Sequence, residues 1–140
     1  MASSVAFTLI TPRAVVFEGD AELVIAVGTE GEVGILPQHA PFLTALRPGV
    51  LRANVSDGSG TMRIELACGE GFLQALPDKI TVLTDAAYAA DEVDVGASRD
   101  ELAEARAEQQ QAGSDLAAWL RAQSKIDFAT AKLKVVGVTG

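Results

Sequence analysis

The sequence predicts an α+β fold: an N-terminal antiparallel β-sandwich or flattened barrel of eight to ten strands, then an antiparallel two-helix hairpin. Three observations predict it. Composition changes near residue 88: all five prolines and nine of the thirteen glycines lie before that point, and Ala, Glu, Gln and Arg dominate after it. Before the break, short apolar runs alternate with period two and recur about every ten residues, which suits a sandwich and not a βαβ fold. After it, cap residues and a glycine divide the chain into two helical stretches. Residues 1–88 are therefore expected as a sandwich domain and residues 89–140 as a linker and helical hairpin.

The strands follow from the alternation. Leu23, Ile25 and Val27 are expected on one face of the first clear strand. Leu51, Ala53 and Val55 face in, with Arg52 and Asn54 out. Met62, Ile64 and Leu66 alternate with Arg63 and Glu65. Between these two strands lies Asp57-Gly58-Ser59-Gly60, a hairpin turn with glycine available for positive φ. Phe72 to Leu76 forms a further strand, Pro77-Asp78 a turn, and Ile80 to Thr84 the next strand.

The linker is expected over Ala89 to Ala97, kept solvated by Asp91, Glu92 and Asp94. Ser98-Arg99-Asp100-Glu101 has the spacing of a capping box, so the first helix is expected from Ser98 to about Ala112. Gly113 suits a left-handed C-terminal cap. Ser114 is the expected N-cap of the second helix, with Asp115 in its first turn. That helix carries Trp119, Ala122, Ile126, Ala129 and Leu133 on one stripe, with Leu116 and Leu120 beside it. The first helix offers only Leu102 as a large apolar residue, so the hairpin is expected to be held loosely.

Totals narrow the function. The 140 residues carry a net charge of −8, with 49% hydrophobic and 21% charged residues. That is an ordinary folded chain whose acidity disfavours nucleic acid and anionic lipid. No apolar run approaches the ~20 residues of a transmembrane helix, so no direct membrane insertion is expected. The single cysteine, Cys68, excludes an intrachain disulfide and reads as a small core residue.

The stretch from Gly28 to Leu51 holds four glycines, three prolines, the lone His39 and two close acids, Glu30 and Glu32. Nucleophilic catalysis needs a base beside a nucleophile, and no Gly-x-Ser-x-Gly elbow accompanies His39. Its plainer role is a corner histidine bonded to nearby backbone; a partner contact is the alternative. Glu30 and Glu32 in an exposed glycine-rich loop lack the desolvation that splits a catalytic carboxylate pair. They read as a solvated turn or a docking loop. Metal-ligand and phosphate-loop spacings are missing. No catalytic residue, metal or cofactor is expected.

Thr29-Glu30-Gly31-Glu32-Val33-Gly34-Ile35-Leu36-Pro37-Gln38-His39-Ala40-Pro41, followed by Leu46-Arg47-Pro48-Gly49-Val50-Leu51, resembles the epsilon-subunit family of bacterial F-type ATP synthases, called delta in mitochondria. Thr11-Pro12, Phe17-Glu18-Gly19 and Thr81-Val82-Leu83-Thr84-Asp85 support the match, which covers essentially the whole chain. The resemblance implies a non-catalytic rotor subunit of the central stalk. It would grip the gamma subunit, sit on the polar loops of the c-ring and couple proton flow to ATP synthesis. It would lie peripherally on the cytoplasmic face of the bacterial plasma membrane. Glu30, Glu32 and His39 become candidates for the c-ring contact. The hairpin becomes a regulatory element that reaches the alpha/beta catalytic head and opposes ATP hydrolysis when extended. Some relatives hold it folded with ATP through an Ile/Leu-Asp-x-x-Arg-Ala pattern. Here Asp94 keeps the acid, but Ala97 and Ser98 fill the last two positions and Arg99 is displaced by two.

Overall fold

Val15–Gly28 is the longest strand, and it joins the two layers of the sandwich. The computed structural model describes residues 4–56 and 60–138. Within them the strands are β1 (Val5–Ile10), β2 (Val15–Gly28), β3 (Gly31–Ile35), β4 (Phe42–Leu46), β5 (Gly49–Ser56), β6 (Thr61–Cys68), β7 (Gly71–Leu76), β8 (Lys79–Thr84) and β9 (Ala87–Tyr88). Two helices follow, α1 (Val95–Gln111) and α2 (Leu116–Val136). The sheet runs β1-β8-β7-β4-β2-β5-β6-β9, with β3 on β2 and β1 also on β2. One layer is thus β1-β8-β7-β4 and the other β3-β2-β5-β6-β9. β2 closes them into a flattened barrel. The sandwich and hairpin match expectation, with one departure from a wholly antiparallel sheet: β1 and β8 run parallel.

The core lies between the layers. Phe7, Leu9, Leu73, Ile80 and Val82 have no exposure, and Leu51, Ala53 and Val55 point in as their alternation predicts. Cys68 is buried among them. In β2 the expected common face of Leu23, Ile25 and Val27 is the outer one. Val24 and Ala26 face the core, while Leu23, Ile25 and Val27 are half-buried on the outer face. The pairing of β2 with β5 shifts register between Ala21 and Leu23, and the extra residue of this bulge turns the following side chains over. The Asp57-Gly58-Ser59 part of the predicted turn lies outside the described residues. β5 and β6 nevertheless pair in register from Gly49↔Cys68 to Ser56↔Thr61, and Gly60 has φ +148°.

Both helices start differently from the sequence expectation. α1 begins at Val95, because the Asp94 side chain accepts a hydrogen bond from the Ala97 amide at 3.0 Å and caps it. Ser98 is therefore inside the helix and 1% exposed, and its hydroxyl donates back to the Asp94 carbonyl. Half of a capping box occurs earlier, where the Glu92 carboxylate accepts from the Ala89 amide beside a short 3-10 turn, Ala90–Glu92. α2 is capped by Asp115, whose carboxylate accepts from the Ala118 amide, and not by Ser114. Gly113 adopts the expected left-handed conformation at φ +58°.

The hairpin packs on the outer face of β5 and β6. Its seat there is small: Val50 and Ala67 of the sandwich meet Ala131 and Val135 of α2. The two helices share a separate cluster of Leu102, Ala129 and Leu133, flanked by Val95, Ile126 and Val138. The expected apolar stripe of α2 is covered from Ala122 onward, with Ala122, Ala129 and Leu133 buried. Leu116, Trp119 and Leu120, near the hairpin tip, remain exposed.

Candidate functional site

The β2–β3 turn carries Glu30 and Glu32 at one end of the second layer. Gly28 and Gly31 pair across the turn, and Gly31 has φ +128°, which only glycine adopts readily. Glu30 is exposed in the turn. Glu32 stands on the outer face of β3 and accepts a 2.8 Å hydrogen bond from Arg52 of β5. Both groups are substantially solvated, so the pair orients Glu32 more than it stabilises the fold.

His39 lies away from this pair. β3 runs from Gly31 to Ile35, and the corner holding His39 follows its far end. Four residue steps of strand separate the ends by about 13 Å. The imidazole Nδ1 donates to the Leu36 carbonyl at 2.6 Å, and Gln38, at φ +64°, donates its amide to Pro77 in the β7–β8 turn. The His39 Nε2 is buried without a hydrogen-bond partner. The ring therefore fixes a local corner, and among the described residues no nucleophile or acid hydrogen-bonds to it. Asp94, the residue retained from the ATP pattern, spends its carboxylate on the α1 cap.

Two surfaces were missed by linear reasoning. The first is the outer face of the β1-β8-β7-β4 layer. Residues paired on neighbouring strands share a face. Ala45 pairs with Phe72, Phe72 with Leu83, Leu83 with Ile10 and Ile10 with Val15. This makes one apolar row across five strands. Phe72 is 56% exposed, Leu83 50% and Val15 56%, with Leu43 at 68% in the adjacent row. The hairpin sits on the opposite layer and leaves this row open. Alternation alone could have placed these residues outward, but only the register shows that they line up.

The second is a groove of about 600 Å³ between α2 and the outer face of β2, β5 and β6. Arg47, Arg52, Arg63 and Lys134 line it together with Glu32, Glu65 and Asp127. Two ion pairs, Arg52–Glu32 and Arg63–Glu65, occupy part of that charge. Acids and bases are interleaved there, and among the described residues no group of three or more His, Cys, Asp or Glu forms a metal site.

A sandwich that exposes a continuous apolar row on one layer and carries a hairpin over a charged groove on the other has the surface of a component of a larger assembly. Comparison with known proteins identifies which kind. Residues 4–90 match the family described as ATP synthase, Delta/Epsilon chain, beta-sandwich domain. The chain is 38% identical over 140 residues to the ATP synthase epsilon chain of Syntrophobacter fumaroxidans, covering 99% of this chain and 100% of that protein. It is 36% identical over 137 residues to the epsilon chain of Moorella thermoacetica, covering 96% and 98%. In fold it resembles a chain of the Euglena gracilis mitochondrial ATP synthase OSCP/F1/c-ring structure, with a TM-score of 0.74, 21% identity, and coverage of 94% of this chain and 79% of that one. A chain of the Tetrahymena thermophila central stalk/c-ring structure gives a TM-score of 0.63 at 18% identity, covering 96% and 97%. The protein belongs to the delta/epsilon chain family of ATP synthases, as the central motif implies.

Proposed function

We propose that this chain works as a rotor subunit without an active site, linking the c-ring to the gamma subunit. The observation that carries this reading is the exposed row Ala45–Phe72–Leu83–Ile10–Val15. Apolar area of that extent is unfavourable in water and gains free energy when a partner covers it. The sandwich, residues 1–88, docks gamma through this row. Its Glu30–Glu32 turn meets the polar loops of the c-ring, where Arg52 holds Glu32 in place. His39 supports the corner at the other end of β3. No helix among the described residues is long and apolar enough to cross a membrane, which agrees with a peripheral position held by partners at the cytoplasmic face.

Gamma binding by the purified chain tests the reading. Phe72→Glu or Leu83→Glu is expected to weaken binding about tenfold or more, as for central apolar interface residues. Glu30→Gln should leave gamma binding intact and reduce ring-coupled ATP synthesis. A chain that fails to bind any gamma subunit overturns the assignment.

The small seat of the hairpin favours a second, regulatory role for residues 89–140. A helix pair seated through a four-residue apolar cluster and one aromatic contact is suited to leaving the sandwich and reaching the alpha/beta head. If it does so, ATP hydrolysis by the assembled complex rises when the residues after Ala89 are removed. Unchanged hydrolysis leaves coupling as its only role.

A further inference from the structure

Lys132 is the one charged side chain among the described residues that the fold buries, at 8% exposure. Its ammonium donates to both carboxylate oxygens of Glu101 at 3.0 Å. It also lies 4.8 Å from the Phe128 ring centre and 5.6 Å from that of Tyr88. The two rings are themselves 5.9 Å apart. Glu101 belongs to α1, Phe128 to α2, and Tyr88 to β9, which is paired to β6 at Ala67. A single ammonium thus stands where α1, α2 and the sandwich meet. On one side of it is the α1–α2 cluster around Leu133, and on the other is the small seat around Ala131.

We propose that Lys132 couples the two interfaces of the hairpin, so that its closure (α1 on α2) and its docking (α2 on the sandwich) reinforce each other. This concerns the isolated chain and goes beyond the proposed rotor role. The physical reason is preorganisation. A free lysine spreads over many rotamers, and each partner that fixes it spares the next that ordering cost. Tyr88 and Phe128 hold the ammonium over their rings, within reach of Glu101. Glu101 in turn keeps the ammonium over the rings, where removal from water strengthens both attractions. Undocking removes Tyr88 and loosens the Glu101 pair; opening the hairpin removes Glu101 and loosens the ring contact. Forms that are closed but undocked, or docked but open, are depleted relative to independent interfaces.

Hydrogen exchange of the full chain, followed at α1 amides, tests the coupling through a double-variant cycle. Tyr88→Leu acts on the docking side and Glu101→Gln on the closure side. Each is expected to increase α1 opening. Together they should increase it by less than the product of the single effects, by at least about threefold. In a Lys132→Met background the same cycle should become multiplicative. Additive free-energy effects in the native background, or an unchanged coupling after Lys132→Met, overturn the proposal. Amides of β1 and β8 report whether the sandwich stays folded. If Tyr88→Leu lowers their protection, Phe128→Leu replaces it on the docking side and the same two criteria apply.

Discussion

At the scale of single residues, the sandwich interior sets the chemistry of Cys68. Burial pushes its thiol pKa from 9.0 up to about 12; a hydrogen bond with the Leu51 backbone opposes this, and the Asp85 charge adds to it. Between pH 9 and 12 the unfolded chain releases this proton and the folded chain keeps it. Stability from the thiol is therefore fully present below pH 9 and is lost as pH rises toward 12. Denaturant unfolding at pH 8 and 10.5 should show a loss of about 1–2 kcal/mol that is missing from Cys68→Ala. An equal pH dependence in the two proteins contradicts this. Gly71 makes a steric demand of a different kind. A Cβ there would overlap the Leu83 backbone carbonyl on the neighbouring strand, and backbone cannot move aside as a side chain can. Gly71→Ala is expected to cost about 1–3 kcal/mol, read as a lowered Tm. Thr84 is similarly constrained: its buried hydroxyl is shared between the carbonyls of Gly69 and Ala86.

At the scale of elements, Asp94 has a structural use that its place in the sequence pattern does not suggest. Its carboxylate caps α1, and the Ser98 hydroxyl turns back to its carbonyl. Asp94→Ala is expected to cost about 1 kcal/mol, concentrated in the first turn of α1. Millimolar ATP should leave α1 hydrogen exchange unchanged in the native chain; an ATP-dependent increase in protection contradicts that. The element types were legible because periodicity and composition are local signals. Their ends were less so, because Asp94 and Ser98 are both good caps and burial chose between them. Glu101 was expected to complete the Ser98 box, yet it pairs with Lys132, a residue thirty-one positions away. Which way the Leu23, Ile25 and Val27 face of β2 points was open for a related reason. A bulge is produced by pairing with β5 and leaves no mark in β2 itself. Of the candidate site, the motif located Glu30, Glu32 and His39, but spacing along the chain did not reveal that β3 holds the acids and the histidine apart. Arg52 was invisible as a partner of Glu32 until β5 was brought beside β2.

For the whole molecule, the distribution of buried side chains decides how independent its two parts are. The main core cluster is drawn entirely from residues at or before Ala89. The hairpin has its own cluster, and the buried apolar cluster between them is Val50, Ala67 and Ala131 with Val135 packed on it, beside the Tyr88–Phe128 ring contact. The helices also differ in charge. Within Val95–Gln111 four acids outnumber two arginines, and within Leu116–Val136 four basic residues outnumber one acid. Lys125–Glu108 and Lys132–Glu101 join the helices across that difference. Closure of the hairpin thus has electrostatic support that its alanine-rich contact alone does not supply. The sandwich should consequently survive without the hairpin. A chain ending at Ala89 uncovers Val50 and Ala67 but leaves Phe7, Leu9, Leu73 and Ile80 enclosed. Re-exposing two small side chains costs about 1–2 kcal/mol, which for a domain of this size lowers Tm by less than about 15 °C. Thermal unfolding should remain cooperative, and β1 and β8 amides should keep their protection at 25 °C. Loss of that protection in the shortened chain would mean that the hairpin completes the sandwich core, and the hairpin could then not leave while the stalk contact is maintained.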